Sequence, residues 1–187
     1  WYDAFRNHSW LTSISLPVSL SWIYEGAFNG CTGLTTVTFN AEHCGSPSGS
    51  SDAWFKDCPL TTLVIGDNVR SIPNFIAYNQ AGLKTLTIGN SVITIGKGAF
   101  EGCAGLTSIS IPDCVSDIGV NAFKGCTGLT SISIPYCITE ISANVFEGCT
   151  GLTSLTIPKL VTKIGEGAFK CCTGLTSVTI PYSVTNI

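Results

Sequence analysis

The sequence contains no methionine, only two histidines (His8 and His43), and few charged residues, 11% of the chain. Each shortage closes a class of function. Two histidines leave little for acid–base or metal chemistry. His43 has Glu42, Asp52 and Asp57 in its neighbourhood, but no spacing fixes a base, a nucleophile and an orienting group. No catalytic residue, metal site or cofactor is therefore expected, and the chain reads as a non-enzyme. A net charge of −3 without a basic stripe argues against nucleic acid and anionic membrane as partners. No apolar run approaches the roughly 20 residues of a membrane helix, so no membrane insertion is expected of this stretch. A secretory leader is also not visible, which leaves secretion open.

Apolar residues, at 44%, are plentiful enough for a continuous core, and they are strictly ordered. Residues 105–127 read GLTSISIPDCVSDIGVNAFKGCT, residues 128–150 read GLTSISIPYCITEISANVFEGCT, and residues 151–173 read GLTSLTIPKLVTKIGEGAFKCCT. Another copy opens at Gly174. Backwards, the register runs through Gly82-Leu83 and Pro59-Leu60, gains three residues in the coil opened by Gly33-Leu34, and reaches Trp10-Leu11. A fixed period of this size is the signature of a solenoid, whose coils cannot bury their apolar face alone and must stack. The chain starts and stops mid-coil without a recognisable cap, so we expect a window of a longer protein or a processed piece.

Within one coil, Leu106, Ile109 and Ile111 form L-x-x-I-x-I, a short strand with Ile109 and Ile111 inward and Ser108 and Ser110 outward. Pro112 ends the ladder by removing a donor. Val115 and Ile118 bring the chain back inward as a second extended segment, and Ala122-Phe123 is expected to form one helical turn on the convex side. Strands are expected near Leu11, Leu34, Leu60, Leu83, Leu106, Leu129, Leu152 and Leu175, paired in parallel.

The pattern G-L-T-S-I-x-I-P-x-x-V-T-x-I-G-x-x-A-F-x-G-C-T resembles the BspA-like leucine-rich repeat, a 23-residue class. The register gives about eight stacked coils, and the resemblance implies that they form a leucine-rich-repeat solenoid with a parallel sheet on the concave face, mostly β with short helical turns. It also implies a surface or secreted adhesin that binds host or partner proteins. One domain, 1–187, is expected, with an irregular coil carrying a loop insertion at 33–58 and regular coils over 82–187. Residues 41–52, AEHCGSPSGSSD, depart from the repeat, and Ala77 stands in the phenylalanine slot.

Five of the ten cysteines, Cys31, Cys103, Cys126, Cys149 and Cys172, share one slot and read as a buried column of free thiols. Cys44 and Cys58 flank the irregular loop and are the best candidates for a bridge in an oxidising compartment. Glu101, Lys124, Glu147 and Lys170 alternate in sign along the convex side, as register support would.

Two features remain as candidate binding surface. Outward hydroxyls run along the strands, among them Ser108, Ser110, Ser131 and Ser133. They either fill a crowded concave face with small β-compatible residues or form a flat face for a polar partner or glycan. All four tryptophans, Trp1, Trp10, Trp22 and Trp54, precede residue 55, near Tyr2 and Tyr24. Trp22 occupies a slot filled elsewhere by Arg70, Asp117, Glu140 and Lys163, so it should be exposed. These aromatics are either N-terminal core and contacts to upstream coils, or a binding hot spot beside the loop that carries His43. Asn7-His8-Ser9 is a glycosylation sequon, meaningful only in a secretory eukaryote.

The expected function is a non-enzymatic surface or secreted adhesion module for a protein or glycan ligand. Binding is expected at Trp10, Trp22, Tyr24, His43 and Trp54 with the serine face, because the regular coils otherwise present near-identical small hydroxyls. The alternative is a building block of a fibre or surface layer, self-associating end to end.

Overall fold

The computed structural model describes residues 3–187, so the expectations on Trp1 and Tyr2 lie outside the described residues. Twelve short strands follow in chain order: β1 (Ser13–Leu16), β2 (Thr36–Phe39), β3 (Thr62–Ile65), β4 (Ser71–Ile72), β5 (Thr85–Ile88), β6 (Thr94–Ile95), β7 (Ser108–Ile109), β8 (Asp117–Ile118), β9 (Ser131–Ser133), β10 (Glu140–Ile141), β11 (Ser154–Thr156) and β12 (Lys163–Ile164). All pairing is parallel. The concave strands stack as β1-β2-β3-β5 and β7-β9-β11, and the second set as β4-β6-β8 and β10-β12. Ser13 faces Thr36, Thr36 faces Thr62 and Thr62 faces Thr85, which confirms the register with its three extra residues.

The alternation does what the sequence asks of it. Val37, Phe39, Leu63, Ile65, Ile109 and Ile132 point into the core, and Leu34, Leu60, Leu83, Leu106, Leu129 and Leu152 are fully buried. A solenoid of this width keeps its core continuous only if coils approach closely. A side chain on the glycine that opens a repeat would collide with the coil before it: a Cβ at Gly128 would stand 2.4 Å from the Ala104 carbonyl oxygen.

Three features differ from expectation. Seven concave strands form, not eight, because Ser177–Ile180 takes no strand conformation. The concave sheet is split, since β5 does not pair with β7. Helical turns are almost missing, with a single 3-10 turn at Ser50–Asp52 among the described residues. Where one helical turn per coil was expected, the convex segment instead makes a third backbone ladder. Gly98, Phe100 and Gly102 donate to Val120, Ala122 and Lys124 of the next coil at 2.9, 2.9 and 2.7 Å. Asn121, Phe123 and Gly125 repeat this to Ala143, Val145 and Glu147 at 3.2, 3.0 and 2.7 Å. The intervening amides close turns within their own coil, as Lys124 N does to Asn121 O. Asn121 and Asn144 sit in the left-handed region, at φ 62° and 53°, which asparagine tolerates better than most side chains.

Two side-chain columns line this convex ladder. Phe5, Phe28 and Phe55 stack at 5.4 Å, and Phe100, Phe123, Phe146 and Phe169 stack at 5.5 to 5.9 Å. Ala77 interrupts the column, and the nearby Phe75 is buried against Tyr78 with Lys97 over its ring. Beside the phenylalanines, each thiol donates to a carbonyl of the coil before it. Cys103 donates to Ala77 O at 3.1 Å, Cys126 to Phe100 O at 3.3 Å, Cys149 to Phe123 O at 3.2 Å and Cys172 to Phe146 O at 3.0 Å. Gln80 replaces cysteine once, and its amide nitrogen makes the equivalent bond to Phe55 O at 2.8 Å.

Candidate partner-binding site

The irregular loop is held from both sides. Gly45 N donates to Ser21 O at 3.0 Å, and Ser46 Oγ accepts from Asn74 N at 3.0 Å. Gly45 is small for a local reason: a Cβ there would sit 2.1 Å from Cζ3 of Trp22. The indole therefore rests on the loop backbone, yet Trp22 remains 52% exposed, as expected, although the strand register puts Ser71 and Thr94, not Arg70, in its slot with Asp117, Glu140 and Lys163.

Next to it lies a depression of about 400 Å³, lined by Trp22, Tyr24, Glu25, Ser46, Ser48 and Asp52, with Ile23, Pro47 and Trp54. Asp52 accepts hydrogen bonds from the hydroxyls of Ser48 and Ser51. Those bonds hold its carboxyl below the usual carboxylate range, chiefly through Ser48. A second depression of about 350 Å³ shares Glu25 and Asp52 and continues to Arg6, Asn29 and Lys56. Arg6 is paired with Asp3 at 3.3 Å.

The expected aromatic site is only partly assembled. Trp54 is a correction: it is 2% exposed and stacked on Phe39 at 6.0 Å, so it is core that reaches only the floor of the depression. The cause is the loop's return, where Phe55 enters the phenylalanine column and Trp54 packs beneath the concave strand. Trp10 is exposed but contacts His8 in the first coil and borders neither depression. His43 is exposed beside Glu42, at 3.6 Å, and also lies off both depressions. Trp22 and Tyr24 are the aromatics brought together with polar side chains of the loop. Sequence reasoning did not single out Glu25, Ser46 and Ser48, because nothing in the repeat says which loop residues fold back over Trp22.

Ser108, Ser110, Ser131 and Ser133 are all exposed on the concave side. The column that precedes them is different: Thr130 and Thr153 bond to the carbonyls of Thr107 and Thr130 at 3.2 Å. Threonine hydroxyls at the strand entry thus support stacking, while the serines face solvent. The regular coils are also less uniform than expected. Tyr136, Leu160 and Tyr182 are exposed, and Tyr136 and Leu160 border a depression of about 310 Å³. The signal was available: the residue after the proline varies as Asp113, Tyr136, Lys159 and Tyr182.

The cysteines are free. Cys58 is not a natural mate for Cys44, because it belongs to the thiol column, with Sγ 3.1 Å from Phe28 O. Burial pushes the Cys44 thiol up to about 11. No group of three potential metal ligands occurs among the described residues. No helix there is long and apolar enough to cross a membrane. On the convex side Glu147 bridges Lys124 at 2.8 Å and Lys170 at 3.1 Å, as the alternating signs predict.

Against this geometry, a family profile described as the BspA type leucine rich repeat region matches the chain in six copies, over residues 2–112, 49–159 and 74–187. No curated protein sequence matches. Several crystal structures share the fold. A T. pallidum leucine rich repeat protein superposes with a TM-score of 0.73 at 24% identity, over 89% of this chain and 79% of its own. A leucine-rich repeat protein from Eubacterium ventriosum gives 0.64 at 22% identity, over 93% of this chain. The pneumococcal vaccine antigen PcpA gives 0.61 at 20% identity, over 92% of this chain. This chain spans only 45% and 51% of the latter two proteins.

Proposed function

We propose that this chain, which belongs to the BspA-type leucine-rich repeat family, is a non-enzymatic interaction module that acts at a cell surface or after secretion and binds a protein or glycan. Bacterial leucine-rich repeats of this type suggest a protein-interaction role, and adhesion at a surface is the form of it we propose. The observation that carries it is Trp22, half-exposed on a loop whose glycine is reserved for its ring, beside a largely apolar depression edged by Glu25, Ser46, Ser48 and Asp52. Burying exposed aromatic area on a pre-positioned ring is a strong source of contact energy at little cost in ordering. The uncharged serine face adds polar contacts without strong selectivity.

The test uses a panel of immobilised extracellular glycoproteins, native and enzymatically deglycosylated. Trp22→Ala should weaken retention by about tenfold or more, with the circular dichroism spectrum unchanged, while Ser133→Ala should not. Parent-like retention of Trp22→Ala would remove the site.

A further inference from the structure

Resting on that reading, we infer that the depression beside Trp22 is a saccharide subsite that stacks a neutral hexose on the Trp22 indole and binds its hydroxyls through Glu25 and Asp52. The ring borders this depression and also a second, apolar one lined by Phe5, Leu16, Leu20 and Phe28, and only the first offers carboxylates for sugar hydroxyls. The ring's Cε3 and Cζ3 edge lies against Gly45, and it remains 52% exposed. A pyranose has an apolar C–H face and a polar rim, which matches a flat aromatic flanked by acceptors. The lining supplies that rim: the carboxylates of Glu25 and Asp52 and the hydroxyls of Ser46 and Ser48. Asp52 is already oriented by Ser48 and Ser51, so a ligand hydroxyl would meet an ionised, fixed acceptor. Hydrogen bonds to ionised acceptors are stronger than neutral ones.

Size and charge narrow the class. A space of about 400 Å³ falls within the usual range for small-ligand sites, and takes a short oligosaccharide end rather than a folded protein loop. No lysine or arginine lines it, and two carboxylates do; Arg6 and Lys56 lie only in the adjoining depression that shares Glu25 and Asp52, and the carboxylates facing the Trp22 depression disfavour sialylated or sulfated sugars there. A cationic amine would suit the carboxylates, but cation recognition gains most from a desolvated enclosure of aromatic faces. Here Trp54 is buried on Phe39, which leaves a platform open to solvent rather than a cage.

The experiment titrates the 187-residue chain with maltotriose, cellotriose, laminaritriose, mannotriose and galactotriose, by saturation-transfer NMR and calorimetry. Sialyllactose, heparin fragments and trimethyllysine serve as anionic and cationic probes. At least one neutral trisaccharide should bind. Trp22→Ala and Glu25→Gln should each weaken it about tenfold, and Trp22→Phe, which keeps a flat ring, by no more than about threefold. Gly45→Ala, which must displace the indole without removing it, should also weaken binding, and guards against misfolding of Trp22→Ala. The inference is overturned if no neutral trisaccharide binds, if Trp22→Ala binds as well as the parent, or if trimethyllysine or an anionic sugar is preferred. If it is overturned while Trp22→Ala still loses glycoprotein retention, the interaction-module reading stands. If Trp22→Ala changes neither, both fall.

Discussion

From Ser13 to Ile88 the concave strands are four residues long and pair without interruption, loop insertion included. After Gly105, where the repeats are closest to identical, they shrink to two or three residues and form a separate sheet. One column differs between the two. Asn40 N donates to Leu16 O at 3.1 Å, and Gly66 N donates to Phe39 O at 2.9 Å, closing the strand end onto the preceding coil. In the later coils that position is Pro112, Pro135 and Pro158, which have no N–H to donate. The proline-marked coils lose that rung and should therefore depend more on the convex ladder with its phenylalanine and thiol columns, which the early coils share. Regularity of sequence is therefore not the same as continuity of hydrogen bonding.

The largest expected effect tests that dependence. Phe123 is fully buried between Phe100 and Phe146, at 5.5 and 5.9 Å. Phe123→Ala should cost about 3–5 kcal/mol, read from urea denaturation, whereas Ser110→Ala on the exposed concave side should cost little. Two variants of equal stability would mean that the later coils do not rely on the convex column.

Period, inward face and register were legible in the sequence, because leucine, isoleucine and glycine recur at positions that stacking constrains: Leu106 and Leu129 are buried neighbours, as their spacing requires. The proposed binding site was legible at Trp22 and Tyr24, and Trp22 stands out because an aromatic occupies a column otherwise held by small polar or charged residues, Ser71, Thr94, Asp117, Glu140 and Lys163. Trp54 misled because a tryptophan next to an irregular loop does not reveal whether the loop covers it. The convex ladder was missed because its signal, asparagine or glycine at left-handed positions around Ala-Phe, resembles that of a helical turn.

A smaller effect should appear at alkaline pH and should fall mainly on the later coils, where four thiols follow without a break from Cys103 to Cys172. Burial pushes the Cys103 and Cys149 thiols up to about 12, and Cys126 in the same direction with Cys103 and Cys149 beside it. An unfolded thiol ionises near 9.0. Below that value both states are protonated and the stability is fully present. Between about 9 and 12 only the unfolded chain releases the protons, so stability falls as pH rises, by about 1.4 kcal/mol per pH unit for each thiol held neutral. Urea midpoints at pH 8 and pH 10 measure this, and Cys103→Ala should flatten the slope. An unchanged midpoint at the two values would mean that the thiols ionise in place and that the column is not dry.

The subtlest expectation concerns which amides open first. If proline shifts the later coils' cohesion to the convex side, native-state hydrogen exchange should show it residue by residue, since exchange reports local opening free energy. In the later coils Phe123, Gly125, Phe146 and Gly148 donate across coils on the convex ladder, and their amides should exchange about tenfold more slowly than those of Ser131 and Ser133, which lead up to the missing Pro135 donor; that ratio corresponds to about 1.4 kcal/mol. In the early coils, where Asn40 and Gly66 complete the strand ends, Val37 and Leu63 should be protected as well as the convex amides of Asn7 and Gly30. Uniform protection across both faces of the later coils would show that the two short strand sets, though split, still open together with the convex ladder. The proline column would then shorten strands without shifting where the solenoid comes apart.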